Sequence, residues 1–318
     1  MVKYAIKRIL IIIPIVLAII FVIFALLYIL PGSQIRHMPI YGGGDALDSV
    51  FAFFDAGNNL LTKYIRYCYN AFIRFDFGES SQASGVVEML LPRARTTLIL
   101  LAGSVAALTV VGIPIGVYTA IYEDSPADRI INIVSLVFSS IPSYSMALVI
   151  ALVFVLYLRV LPMMNQLSSP LAYIMPTLTI SLGGIASIAR MTRACMIETL
   201  EQPYISALIA KGLKEPAIFY RHALKNALIP VISSLGGIIS QLICGMFVVE
   251  YFFNTPGLGF VMLRSVSTRQ HVETLGCVAA MTLILASVNI VIDILTAFIN
   301  PQIRLQYIRK RGVKHIRS

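Results

Sequence analysis

The sequence predicts an all-α integral membrane protein with six transmembrane helices. Three observations carry this expectation. First, 58% of the 318 residues are apolar and only 13% are charged, against about 45–50% and about 25% in ordinary soluble domains, and mean hydropathy is +0.84. Second, the apolar residues gather into uncharged runs at 9–35, 96–122, 130–158, 160–189, 226–249 and 274–292. A hydrocarbon layer of about 30 Å takes about 20 such residues, and a charge at its centre costs about 3 kcal/mol. A soluble protein with buried helices is excluded on this patterning. Third, six spans put both termini on one side, and Lys and Arg concentrate there: Lys3, Lys7 and Arg8, Arg129, the 190–225 loop, and the tail after Ile303. The short loops of the other side carry only Arg159, Arg264 and Arg269, so the positive-inside rule places both termini in the cytoplasm.

The first run follows a basic segment but is too long for a secretory signal and ends at Leu30-Pro31-Gly32 without a small-x-small cleavage pattern, so 1–30 is read as a retained first helix. Residues 31–95 form an extracellular subdomain lying on the membrane surface. Within it Tyr41–Asp45 is a glycine-rich turn, and 60–75 an amphipathic helix with Tyr64, Ile65, Tyr67, Cys68 and Phe72 on its apolar side. The second span holds Gly112-Ile113-Pro114-Ile115-Gly116. Its glycines, four apart, admit a close neighbour, and Pro114 predicts a kink. Pro142 predicts a bend in the third span. Gly183-Gly184 in the fourth and Gly236-Gly237 in the fifth are read as packing positions. In the sixth, Asp293 lies near Asn289. One isolated carboxylate makes a poor proton relay, so it is assigned to the bundle interior, paired with a cytoplasmic-side Arg or a backbone N–H.

The longest polar interruption in the second half is 190–230. Pro203 suits a first helical position and Gly212 a left-handed terminator, which predicts a helix of about nine residues, about 13 Å long. Ile205, Leu208 and Ile209 fall at i, i+3 and i+4 and make one apolar stripe. Such a helix is too small to be its own core, and its stripe presses on the rest of the chain or on a partner. A second short helix is expected from Pro216 through Lys225, ending before Pro230. Beyond the fifth span, the turn at Pro256-Gly257 suits a re-entrant or surface-lying element.

Catalytic chemistry is missing. The chain has no G-x-x-x-x-G-K-[ST], H-E-x-x-H or G-x-S-x-G pattern, and His37, His222, His271 and His315 stand alone. No catalytic or metal-binding residue is assigned. Cys68, Cys195, Cys244 and Cys277 have neither metal nor disulfide spacing and are read as packing residues. The net charge of +10 owes much to the tail around Arg309-Lys310-Arg311, which suits anionic lipid; no aromatics are interleaved with these charges as stacking on nucleic acid requires.

Several motifs together resemble the permeases of binding-protein-dependent ABC importers, in the dipeptide/oligopeptide/nickel branch. They are Ala210-Lys211-Gly212-Leu213, Arg221-His222-Ala223-Leu224-Lys225-Asn226-Ala227-Leu228-Ile229-Pro230, and Glu250-Tyr251-Phe252-Phe253 followed by Pro256-Gly257-Leu258-Gly259. Phe77-Gly78-Glu79-Ser80, Thr97-Leu98, the 112–117 segment, Ile141-Pro142, Leu161-Pro162 and the Asp293…Pro301…Arg304 ending fall in family order. The similarity covers essentially the whole chain. It departs at Ala207-Leu208-Ile209, where the family has Thr-Ala-Arg, and at Asn300-Pro301-Gln302, where it has Asp-Pro-Arg.

The resemblance implies a type I (MetI-like) permease core at 96–300, with a cytoplasmic coupling loop at 190–229 and a basic tail at 301–318. It implies that Pro203, Tyr204, Ile205, Ala207, Leu208, Ile209, Lys211 and Gly212 form a coupling helix docked on separate ATPase subunits. It assigns Glu250, Phe252, Phe253, Pro256, Gly257 and Gly259 to binding-protein docking or an outer gate, and Gly112, Pro114, Gly116 and Asp293 to helix packing. The implied partners are a homologous second permease in a heterodimer, two ATP-binding subunits, an extracellular substrate-binding protein and membrane lipid. ATP and Mg would be bound by the ATPase subunits, with no cofactor in this chain. The implied setting is the inner membrane of a prokaryote. The expected solutes are di- or oligopeptides, the alternatives being nickel chelates, opines or glycan-linked peptides in the same machine, or a secondary transporter or channel.

Overall fold

The computed structural model describes residues 2–29, 60–77, 85–159 and 170–299. The Tyr41–Asp45 turn, Gly78-Glu79-Ser80, Leu161-Pro162 and the basic tail lie outside these residues. The described chain is all-α: α1 (Val2–Ile29), α2 (Leu60–Tyr69), α3 (Val86–Ile121), α4 (Pro126–Ser140), α5 (Ser143–Tyr157), α6 (Ile174–Leu200), α7 (Pro203–Ala210), α8 (Glu215–Phe252), α9 (Leu258–Ser267) and α10 (His271–Ile299). Segments of α1, α3, α6, α8 and α10 are long and apolar enough to cross a membrane, which makes five spans among the described residues, or six with the α4–α5 pair, bent by 107°, counted as one broken span. The break falls at Ile141-Pro142, as the proline predicts. Its missing N–H and the extended ψ forced on Ile141 end α4 there.

Helix lengths exceed the uncharged runs. The 36 residues of α3 extend about 54 Å, so its first turns, with Glu88, Arg93 and Arg95, overhang a hydrocarbon layer of about 30 Å. Likewise α6 continues through Arg190 and Arg193 to Leu200, where a loop was expected. The separate helix expected at 216–225 is instead the start of α8, which runs on through Pro230 with a π-helical turn at Ile218–Ala223. Proline has a helical φ, and removing one backbone donor does not end a membrane helix whose neighbours re-satisfy the carbonyl. At Pro114 the helix runs on to Ile121, with a π-helical turn, Leu108–Gly112, just before the proline.

The chain forms two compact units. One is built from Leu100–Val249 and the last turns of α10 from Ser287. In it α3 packs on α6 through the two predicted glycines. A Cβ at Gly112 would lie 2.0 Å from Ile188, and one at Gly116 would lie 2.4 Å from the Ala189 carbonyl. Pro114 points away from this contact and is exposed. Gly184 packs on Leu242 and Gly236 on Asn289, whereas Gly237 has open space. Asn289 donates to Ser240 at 3.4 Å, and Asp293 one turn on is half-buried.

The other unit is built from Lys7–Ile99 and Glu250–Ala286. Here α2 packs on α1 and α10. Tyr67 and Ala71 bury against Val16, Ile20 and Phe24 of α1 and Leu275 and Ala279 of α10, and the Tyr64 hydroxyl donates to the Leu17 carbonyl at 2.6 Å. Leu17 is in the first span, so α2 packs along that helix. Its buried stripe runs through Tyr64, Tyr67, Cys68 and Ala71, leaving Ile65 exposed. Burial pushes the Cys68 thiol above its ordinary pKa.

Candidate functional site: a short helix between two spans

After α6 ends at Leu200, Glu201 and Gln202 turn the chain and Pro203 enters α7 in the first turn, with Gln202 extended before it. The helix closes as Gly212 predicts. Gly212 has φ +76°, its N–H donates to Ile209 at 2.9 Å, and the Leu213 N–H reaches back to Leu208 at 3.3 Å. These two bonds take up carbonyls that a helix end leaves unpaired. The left-handed backbone is what requires glycine, since a Cβ there would meet nothing within 4 Å.

The predicted apolar stripe is split between two environments. Ile205, 4% exposed, is turned into the chain, where α7 packs on the first turns of α8. Leu208 is half-buried, and Ile209 is 61% exposed. Asn226 of α8 donates its side-chain amide to the Tyr204 hydroxyl at 2.9 Å. One buried side chain and one hydrogen bond thus hold α7, while Tyr204, Ala207, Ile209, Ala210 and Lys211 remain exposed.

Behind α7, α6 is firmly tied. Arg193 donates two hydrogen bonds of 2.7 Å, from Nε and Nη2, to the two carboxylate oxygens of Asp128, and Glu123 lies 3.6 Å away. Asp128, 2% exposed, also accepts from the Asp124 N–H and the Asn132 amide. Its own N–H donates to Ser125, the N-cap of α4. The first turn of α4 is thereby fixed to α6 ten residues before α7. Sequence reasoning did not find this pair, whose members lie 65 residues apart.

In the other unit, the 250–259 motif is an internally satisfied turn. Glu250 is 0% exposed. Its carboxylate accepts from Thr97 Oγ1 at 2.7 Å, the Gly259 N–H at 2.7 Å and the Phe260 N–H at 3.3 Å, while Thr97 Oγ1 accepts from the Leu258 N–H at 2.9 Å. The carboxylate therefore sits on the N-terminus of α9, where free N–H groups and the helix dipole favour negative charge. A Cβ at Gly257 would lie 2.3 Å from this carboxylate, which is why the turn needs glycine. Phe253, Gly257 and Gly259 are buried and Phe252 and Pro256 are half-buried. Glu250 is thus a latch inside the unit, and its side chain is not available as a docking contact; the exposed side chains here are Tyr251 and Asn254. Among the described residues, no His, Cys, Asp and Glu side chains group as a metal site.

The sequence profile of the family described as binding-protein-dependent transport system inner membrane component matches residues 112–305. A dipeptide transport system permease protein of Bacillus subtilis is 30% identical over 308 residues, covering 96% of this chain and 99% of its own length. A glutathione transport system permease protein of Pectobacterium atrosepticum is 30% identical with the same coverage. A putative peptide permease protein of Brucella ovis is 29% identical over 319 residues, covering 96% and 100%. With five or six apolar spans, and a profile and relatives that together cover nearly its whole length, this chain belongs to the inner-membrane permease family of binding-protein-dependent transport systems.

Proposed function

We propose that this chain is the membrane subunit of an ATP-driven importer that passes peptides across the cell membrane, with α7 as its link to separate ATP-binding subunits. The observation that carries this reading is the one-sided anchoring of α7. Ile205 and the Tyr204–Asn226 bond hold it to the chain, while Tyr204, Ala207, Ile209 and Lys211 face outward. An exposed isoleucine on a helix that begins at Pro203 and is closed by Gly212 is suited to a groove on another protein. Under this reading ATP and Mg are held by two partner subunits, whose closure moves α7 and, through Arg193 and Asp128, the first turn of α4. A homologous permease completes the path, and an extracellular binding protein delivers the solute. Both termini and α7 lie in the cytoplasm of a prokaryote. Peptides are the solute class because the relatives are named for dipeptide, glutathione and peptide transport; nickel chelates, opines and glycan-linked peptides are the alternatives.

The test uses the importer assembled with its partner subunits in proteoliposomes. Ile209→Asp and Gly212→Val are each expected to lower ATP hydrolysis stimulated by the solute-loaded binding protein at least about tenfold, a coupling loss of about 1.4 kcal/mol. The melting temperature of Ile209→Asp is expected to stay at the parent value, because the side chain is exposed. Normal stimulation in both variants would remove the coupling role.

A further inference from the structure

Between the α4–α5 break, α6 and α8 lies a cavity of about 270 Å³, near the lower end of the size range of small-molecule sites. Its polar lining is Ser139, Ser140, Ser143, Thr179, Ser187 and Gln241, and no lining residue carries a charge. Four of these hydroxyls have their single proton committed to a carbonyl of their own helix. Ser139 and Ser140 donate to Leu136 at 3.0 and 2.8 Å, Thr179 to Met175 at 2.8 Å, and Ser187 to Gly183 at 2.9 Å. A hydroxyl has one proton and two lone pairs, so each has only acceptor capacity left. The break adds another acceptor. Pro142 lacks the N–H that would close on the Phe138 carbonyl in a continuous helix, and this carbonyl stands 3.7 Å from the Cβ position of Gly183, another lining residue. Irregular backbone at membrane depth is tolerated where it lines such a cavity.

We infer that this cavity is a solute-contact site of the chain, which accepts hydrogen bonds from the ammonium and amide N–H groups of a short peptide. The peptide class rests on the proposed function above. A ligand rich in N–H donors matches a lining with surplus lone pairs. Among the side-chain donors a carboxylate finds only the Ser143 hydroxyl and the Gln241 amide.

ATP-dependent uptake of labelled alanyl-alanine by the reconstituted importer tests the site. A Cβ at Gly183 makes only an ordinary contact, so Gly183→Leu fits the helix and extends into the cavity. It is expected to lower uptake at least about tenfold, with melting temperature and assembly with partner subunits unchanged. Ser140→Ala is expected to raise KM for alanyl-alanine at least about threefold, and Ser140→Thr to restore it. Full uptake by Gly183→Leu would overturn the site, leaving the proposed function intact. An unchanged KM in Ser140→Ala would overturn the recognition by acceptors. Failure of the parent importer to take up any of a set of dipeptides would overturn the peptide reading and this inference with it.

Discussion

The α7 hairpin and the Glu250 turn are both short polar interruptions beside an apolar span, yet they are finished in opposite ways. At Glu250 a fully buried carboxylate meets a hydroxyl and two backbone N–H groups, and the neighbouring glycine leaves no room for a Cβ. At α7 one side chain is buried and an isoleucine stands in the open. A buried polar group costs free energy unless its partners are supplied, and the Glu250 turn supplies them from its own unit. Exposed apolar surface on a capped helix carries no such internal solution, and a second protein can complete it. The comparison separates a latch that shapes the chain from a helix that, under the proposed function, another subunit grips.

The largest effect is expected at the latch. Glu250→Ala removes the shared acceptor of Thr97, Gly259 and Phe260 and strands these donors in a buried site, at a cost of about 3 kcal/mol. Its melting temperature in detergent should fall by several degrees, whereas Ile209→Asp should leave it in place. Equal melting of the two variants would erase the distinction between the regions. A smaller loss, about 2 kcal/mol, is expected for Arg193→Ala, which removes the charge-assisted hydrogen bonds of a partly exposed guanidinium to Asp128. Because this pair fixes α4 to α6, stimulated ATP hydrolysis should continue while solute uptake per ATP falls. Unchanged uptake per ATP would show that the pair only holds the helices together.

Much of this was legible in the sequence where the solvent dictates the pattern. A hydrocarbon layer forbids charge, so the six spans stand out as uncharged runs, and Pro142, Pro203 and Gly212 act through their own backbone chemistry. Helix ends were misjudged because the helices continue past the layer into water, where Arg93 or Arg221 is at no disadvantage. Pairings between distant segments were not legible either. Nothing near Asp128 announces Arg193, and the cavity takes its hydroxyls from three helices. A carboxylate beside an aromatic run reads as surface, and only the fold shows Glu250 turned onto the N-terminus of α9. The stripe at Ile205, Leu208 and Ile209 was correctly seen as apolar, but periodicity alone does not say which of its members faces the chain.

The most direct test of the proposed grip on α7 is a cross-link. Ile209→Cys, in a chain whose Cys68, Cys195, Cys244 and Cys277 are replaced by Ala or Ser, is treated with a short bifunctional maleimide in the assembled importer. The account predicts a covalent product of this chain with an ATP-binding subunit carrying cysteines along its membrane-facing groove. It also predicts no labelling of Ile209→Cys by a membrane-impermeant maleimide applied outside intact cells. Labelling from outside, or no product with any of those cysteines in an active complex, would contradict it.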